Sequence, residues 1–264
     1  MRIALFTLEA APSGEAVAQF LQHHAAQVVL IGRSDPHRPA AGGPLRQGWR
    51  HLRRSGPRLL PFLWVNYGLP GLRPGPTRLA RLAAAHGIPL HAVQDVNGAE
   101  TAAAIRAARP DLLLSCHFDQ IFTAATLALA PRGGINLHPS LLPRHRGPVP
   151  TIWALDDPEP RFGVTVHRLV PRIDAGGLLG QRAVPLDPGT TASAAARALH
   201  LAGVPLLAEV LAAMDAGTAM EQPVDPLPYC PFPPAGMLRG LARRGRRLVD
   251  AADFRAAWDS LAAP

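Results

Sequence analysis

The chain has no lysine: all 27 of its basic residues are arginine. A phosphate-loop lysine, a pyridoxal Schiff base and a lysine nucleophile are therefore excluded. Cysteine is almost as scarce, with only Cys116 and Cys230, which rules out a disulfide framework and any cysteine-rich zinc site. A reducing, cytoplasmic setting fits, and Cys116 reads as a packed thiol. No stretch approaches the roughly 18 uninterrupted apolar residues that a membrane span needs. The opening apolar run meets Glu9, too early for a signal-peptide core. There is no internal repeat.

What is present suits one large domain, or a domain with an appendage: 264 residues, 48% of them hydrophobic, enough for a full core without staples. The formal charge of +8 is unevenly spread. Residues 33–58 hold seven Arg and one acid, residues 239–247 hold five Arg and no acid, and the remainder has 15 Arg against 18 acids. The use of Arg throughout reflects genomic composition, so the high pI is not by itself evidence for nucleic acid, and no DNA partner is expected; the excess charge sits on two segments of a mildly acidic body. In the first segment Leu45, Trp49 and Leu52 recur at helical spacing among Arg46, Arg50, Arg53 and Arg54. Residues 44–65 read either as a basic amphipathic segment for a membrane or phosphate-bearing acceptor, or as a covering helix with a solvated Arg face.

Short aliphatic runs at 2–8, 27–33, 88–93, 111–117 and 133–138 alternate with helical patterns at 76–86, 99–108 and 122–130. Val17, Phe20 and Leu21 mark a further helix between the first two runs. This is the pattern of an α/β fold with a Rossmann-like, mostly parallel sheet and helices on both faces. Runs at 162–170 and 178–184 read as later strands of the same sheet, followed by a long Ala-rich helix at about 190–216. The expected organisation is a domain over 1–221, with a basic insert at about 34–75, and a short Pro-rich and basic C-terminal appendage at 222–264.

Ligands of such sheets bind beyond the carboxyl ends of the strands. In GGINLHPSLLPRHRG the strand period puts Asn136 and His138 on one face, and Pro139 ends the strand there. Asp174, in the turn RIDAGG, can join them. Acyl transfer to an amine asks for such a set: an oxyanion donor, a group to take the ammonium proton and an acid to hold the imidazole. Asn136 and a protonated His138 would serve the oxyanion, while His138 and Asp174 manage the proton. Each residue alone has a plainer reading, as a strand-end histidine on a carbonyl, a turn asparagine and a turn aspartate. His117, His145 and His167 beside His138 show no recognised ligand spacing, so no metal is expected.

Residues 110–182, with the string Asn-x-His-Pro-Ser-Leu-Leu-Pro and the later Asp-x-Gly, resemble the formyltransferase domain that uses 10-formyltetrahydrofolate. The resemblance implies that Asn136, His138 and Asp174 are catalytic, with Ser140 as structural support. It implies a donor pocket made by the loop Phe118, Asp119, Gln120, Ile121 and Phe122 and by Ile173 and Gly176 around Asp174, mostly through backbone groups reading the pterin. The expected reaction moves a formyl group from 10-formyltetrahydrofolate, as co-substrate, to a primary amine. TLEAAPSGEA after the first strand lacks the Gly-rich phosphate loop of glycinamide ribonucleotide enzymes. The tail is too short and Pro-rich for the tRNA-gripping barrel of methionyl-tRNA formyltransferases, although SDPHRPAAGG is similar to their basic insert loop. A small-molecule amine, most simply a nucleotide-linked amino sugar, is the expected acceptor. Methionyl-tRNA is the alternative, and a noncatalytic folate-binding or membrane-associated partner protein a third.

Overall fold

Strand β1 (Ile3–Leu8) sends Ile3 and Leu5 to one face and Ala4 and Phe6 to the other, and all four are buried. A strand apolar on both sides requires cover on both. The computed structural model, which describes residues 1–35, 38, 42–72 and 75–262, provides it. With β2 (Val28–Ser34), β3 (Leu90–Val93), β4 (Leu112–Cys116), β5 (Gly134–His138), β6 (Gly163–Arg168) and β7 (Leu178–Ala183) it forms one seven-stranded sheet, ordered β3-β2-β1-β4-β5-β6-β7. The first five strands run parallel, whereas β6 is antiparallel to both neighbours. Residues 169–177 between β6 and β7 are too few for the crossover that parallel neighbours need.

The connections carry α1 (Gly14–His24), α2 (Gly43–Ser55), α3 (Leu60–Leu63), α4 (Arg78–Ala85), α5 (Ala99–Ala108), α6 (Ala124–Leu127), α7 (Pro150–Asp156) and α8 (Ala192–Asp215). Val17, Phe20 and Leu21 of α1 join α4 and α8 over one face, while Ile105 of α5, Leu127 of α6 and Phe122 cover the other. The expected helix at 122–130 shrinks to the single turn α6. By length and composition alone α8 could cross a membrane, with 24 residues and a mean hydropathy of 1.4. Its place is the core, against β5, β6 and β7. Gly203 lets it approach closely, since a Cβ there would lie 2.6 Å from Leu137.

The basic insert and the tail meet. Leu59 and Phe62 pack with Val149, Ile152 and Leu155 around α7, and with Leu238 and Leu241 of α9 (Ala235–Arg243). The tail is also stitched down by polar contacts. Trp153 donates to the Pro231 carbonyl (2.8 Å) and Arg54 to that of Phe232 (2.8 Å). Buried Asp253 of α10 (Ala251–Ala262) accepts from Thr191 and Arg197, both at 2.6 Å. Half of the loop SDPHRPAAGG lies outside the described residues.

Candidate active site

The strand order reverses at β1, between β2 and β4, which opens a crevice beyond the carboxyl ends of β1, β4 and β5. On β5, Asn136 and His138 share a face, and antiparallel β6 pairs them with His167 and Thr165. His167 Nδ1 donates to the Arg168 carbonyl (2.8 Å), which can only accept, and in that tautomer Nε2 accepts from the Asn136 amide (3.1 Å). An amide nitrogen carries two hydrogens. One therefore remains on Asn136.

Asp174 reaches this face from the turn after β6. Its Oδ1 lies 3.6 Å from His138 Nδ1 and 3.5 Å from His167 Nε2, and its Oδ2 accepts from the Gly147 N–H at 2.9 Å. The other ring nitrogen of His138 is 3.4 Å from the His145 carbonyl. The imidazole thus has an acceptor on each side. A neutral ring can use one of them; the imidazolium uses both. Burial pushes the His138 pKa below its ordinary 6.5, against the pull of Asp174. Burial raises that of Asp174, but His138, His167 and the Gly147 N–H outweigh it and hold the carboxyl at about 2. The pair therefore rests as neutral imidazole and carboxylate, placed to gain one proton.

The loop after β5 and the tail hold the turn. Buried Arg146 donates to the carbonyls of Ile173, Asp174 and, on the tail, Leu227. Asp174 itself sits at φ 42°, and Gly176 packs so tightly that a Cβ would stand 2.1 Å from the Arg168 carbonyl oxygen. Ser140 ties the loop together, donating to Arg144 (3.0 Å), while its carbonyl accepts from Thr165 (2.6 Å).

The structure thus brings Asn136, His138 and Asp174 together, with Ile173 and Gly176 beside them. In the loop after β4, Phe118 and Phe122 turn inward against Phe6. Gln120 accepts from the Val96 N–H (2.8 Å) and donates to Ser34 (2.9 Å), Asp119 pairs with Arg38, and Ile121 is exposed. Contacts from this loop to a ligand fall mainly to its backbone. Arg146 and Gly147 are site residues that the sequence did not single out, and His167 was weighed there only as a metal ligand. The signal for His167 was the alternation of Thr165 and His167 with Val164 and Val166. Among the described residues no group of three or more His, Cys, Asp or Glu side chains is arranged to hold a metal ion.

Behind His138 lies a second histidine pair. His117, at φ 53°, bonds the hydroxyls of Ser13 (2.8 Å) and Tyr67 (3.2 Å). Its ring centroid is 5.2 Å from that of His200, whose Nδ1 donates to the Ala196 carbonyl (2.7 Å) and whose buried Nε2 has no hydrogen-bond partner among the described residues. Burial lowers the His117 pKa from 6.5 to about 3 and that of His200 to about 4. Above pH 6.5 both states are neutral; below it the unfolded chain gains protons that the fold refuses, so stability falls with pH from there to about pH 3. The melting temperature is expected to drop between pH 7 and 5, and His200→Leu should flatten that slope. A His200→Leu profile parallel to the parent's would exclude His200 as a source.

The sequence profile of the family described as Formyl transferase matches residues 79–211. Among solved structures, a sugar N-formyltransferase from Shewanella sp FDAARGOS_354 is 16% identical with a TM-score of 0.57, covering 99% of this chain and 88% of its own. The phosphoribosylglycinamide formyltransferase from Streptococcus pneumoniae TIGR4 is 18% identical with a TM-score of 0.56, covering 81% and 98%. An N-formyltransferase from Helicobacter canadensis, in complex with folinic acid and dTDP-3-aminofucose, is 16% identical with a TM-score of 0.57, covering 88% and 71%. These likenesses share the fold. The profile spans half of the chain and takes in Asn136, His138 and Asp174, and the protein belongs to the formyl transferase family, whose members are formyl-transferring enzymes.

Proposed function

We propose that the protein transfers a formyl group from 10-formyltetrahydrofolate to the primary amine of a small molecule in the cytoplasm, a nucleotide-linked amino sugar being the preferred acceptor class. The observation that carries this is the meeting of Asn136, His138 and Asp174 at one crevice mouth. The Helicobacter canadensis neighbour, held with a folate and an amino sugar, supports the choice of donor and acceptor.

The neutral amine attacks the formyl carbon, forming the new C–N bond, and the carbonyl oxygen takes the negative charge. The remaining Asn136 N–H faces that charge, the role in which a donor is worth most. His138 accepts the ammonium proton, and the imidazolium is held between Asp174 and the His145 carbonyl. The carbon–nitrogen bond to the folate then breaks, and its nitrogen receives a proton as tetrahydrofolate leaves. The sequence gives His138 two roles, oxyanion binding when protonated and, with Asp174, handling the proton. Its lowered pKa favours the second of these.

The test incubates the enzyme with 10-formyltetrahydrofolate and a panel of nucleotide-linked amino sugars, following tetrahydrofolate release and the formylated product by mass. No donor turnover with any amine would sink the proposal. At saturating acceptor, the acid limb of kcat should have its midpoint below 6.5, the ordinary histidine value. Asp174 raises the His138 pKa, so Asp174→Asn should move that limb further down. An acid limb at or above the ordinary value would remove neutral His138 as the base.

A further inference from the structure

Three of the four tryptophans, Trp49, Trp64 and Trp258, are exposed, and all three lie outside the residues that the family profile matches. They sit on α2, on the π-helical turn Trp64–Gly68 and on α10, elements packed against or adjoining one another through α3 and the turn Leu69–Leu72. Leu45 is 89% exposed and Trp49 61%, and Leu60 and Leu72 add exposed apolar surface. At roughly 3.6 residues per turn, Leu45, Trp49, Arg53, Arg46 and Arg50 follow one another around the outer side of α2. Its inner side, with His51, packs on Phe232.

Residues 42–72 contain no acid. Arg46, Arg50, Arg53 and Arg58 form no ion pair with a described acid. Helix α9, which packs on α2, adds the exposed Arg239 and Arg243, so the two basic segments of the sequence are neighbours. The exposed Asp259 on α10 is offset by Arg255.

We infer that this face docks on an anionic lipid bilayer. Arginines beside tryptophan and leucine match the headgroup layer, where the charge meets phosphate and the amphipathic rings sit at the acyl boundary. Single-stranded nucleic acid would want open ring faces. Here Trp64, Phe254 and Trp258 stack on one another, with interplanar angles of 21° and 9°, and exposed leucines offer nothing to a base. The same π-helical turn carries Trp64 outward and Tyr67 inward to His117, which ties the docked face to the crevice.

The full chain is sedimented with vesicles of phosphatidylcholine alone and of equimolar phosphatidylcholine and phosphatidylglycerol. Binding should favour the anionic vesicles, weaken with salt, and blue-shift the tryptophan emission. Replacing Arg46, Arg50 and Arg53 together by Gln should lower the partition by about a hundredfold. Leu45→Ser with Trp49→Ser should remove the emission shift while leaving the melting temperature unchanged. If that pair unfolds the chain, the arginine set decides. No preference for anionic vesicles, a stable dimer that loses its partner when Leu45 and Trp49 are replaced, or tighter binding to single-stranded RNA than to the vesicles overturns the inference.

Discussion

Asn136→Ala should lower kcat by about a hundredfold or more, the usual effect of deleting an oxyanion donor, with little change in melting temperature. The side chain is 9% exposed and gives up a single hydrogen bond, the one to His167 Nε2, a small loss for the fold. Its loss therefore falls on the reaction rather than on the fold. His138→Ala should cost at least as much, because it removes the ring that takes the proton between Asp174 and the His145 carbonyl. Asp174→Asn keeps the Gly147 contact but removes the charge that supports the imidazolium. Turnover of tetrahydrofolate by each variant, beside its melting curve, checks all three. A fully active Asn136→Ala would assign the oxyanion to a backbone donor instead.

The second large effect is structural. Gly147 lies at φ 135°, its N–H donates to Asp174, and a Cβ would stand 2.1 Å from the Cys230 carbonyl oxygen and 3.1 Å from the Tyr229 ring. Gly147→Ala therefore combines backbone strain with a collision against main chain, each worth about 1–3 kcal/mol. It should push the tail away from Arg146 and release the Asp174 carboxylate, so stability and kcat fall together. Gly245→Ala is the control, since its φ is 72° and no atom lies within 4 Å of the added methyl. Denaturant midpoints for the two variants separate strain from collision. Equal losses would mean that the contact with the tail is dispensable.

Strand and helix positions were legible because a two-sided apolar strand and a 3.6-residue stripe leave different residue patterns. Leu112–Leu114 and the run from Ala192 onward fall within a residue or two of their expected bounds. The trio was legible for a related reason: period-two spacing puts Asn136 and His138 on one face whatever the strand's neighbours. His167 was not, since its meeting with Asn136 depends on the antiparallel register of β6, which no local pattern encodes. Arg146 and Gly147 were hidden likewise, because their work is to grip a turn 27 residues downstream. Helix α2 shows a further limit. Its Leu45 and Trp49 carry the spacing of a core stripe yet face outward, and only the fold reveals which side of an amphipathic helix is covered.

The cluster that joins Leu59 and Phe62 to Leu238 and Leu241 makes two stretches of sequence, some 180 residues apart, into one physical module. Swapping segments between related enzymes to transplant an acceptor preference would have to respect that division. A graft of residues 42–72 without α9 and α10 would arrive with its inner face bare, and a graft of the tail alone would find nothing to close over. The natural unit of exchange is the pair, carried onto a body that retains α7 and the Thr191 and Arg197 that hold Asp253.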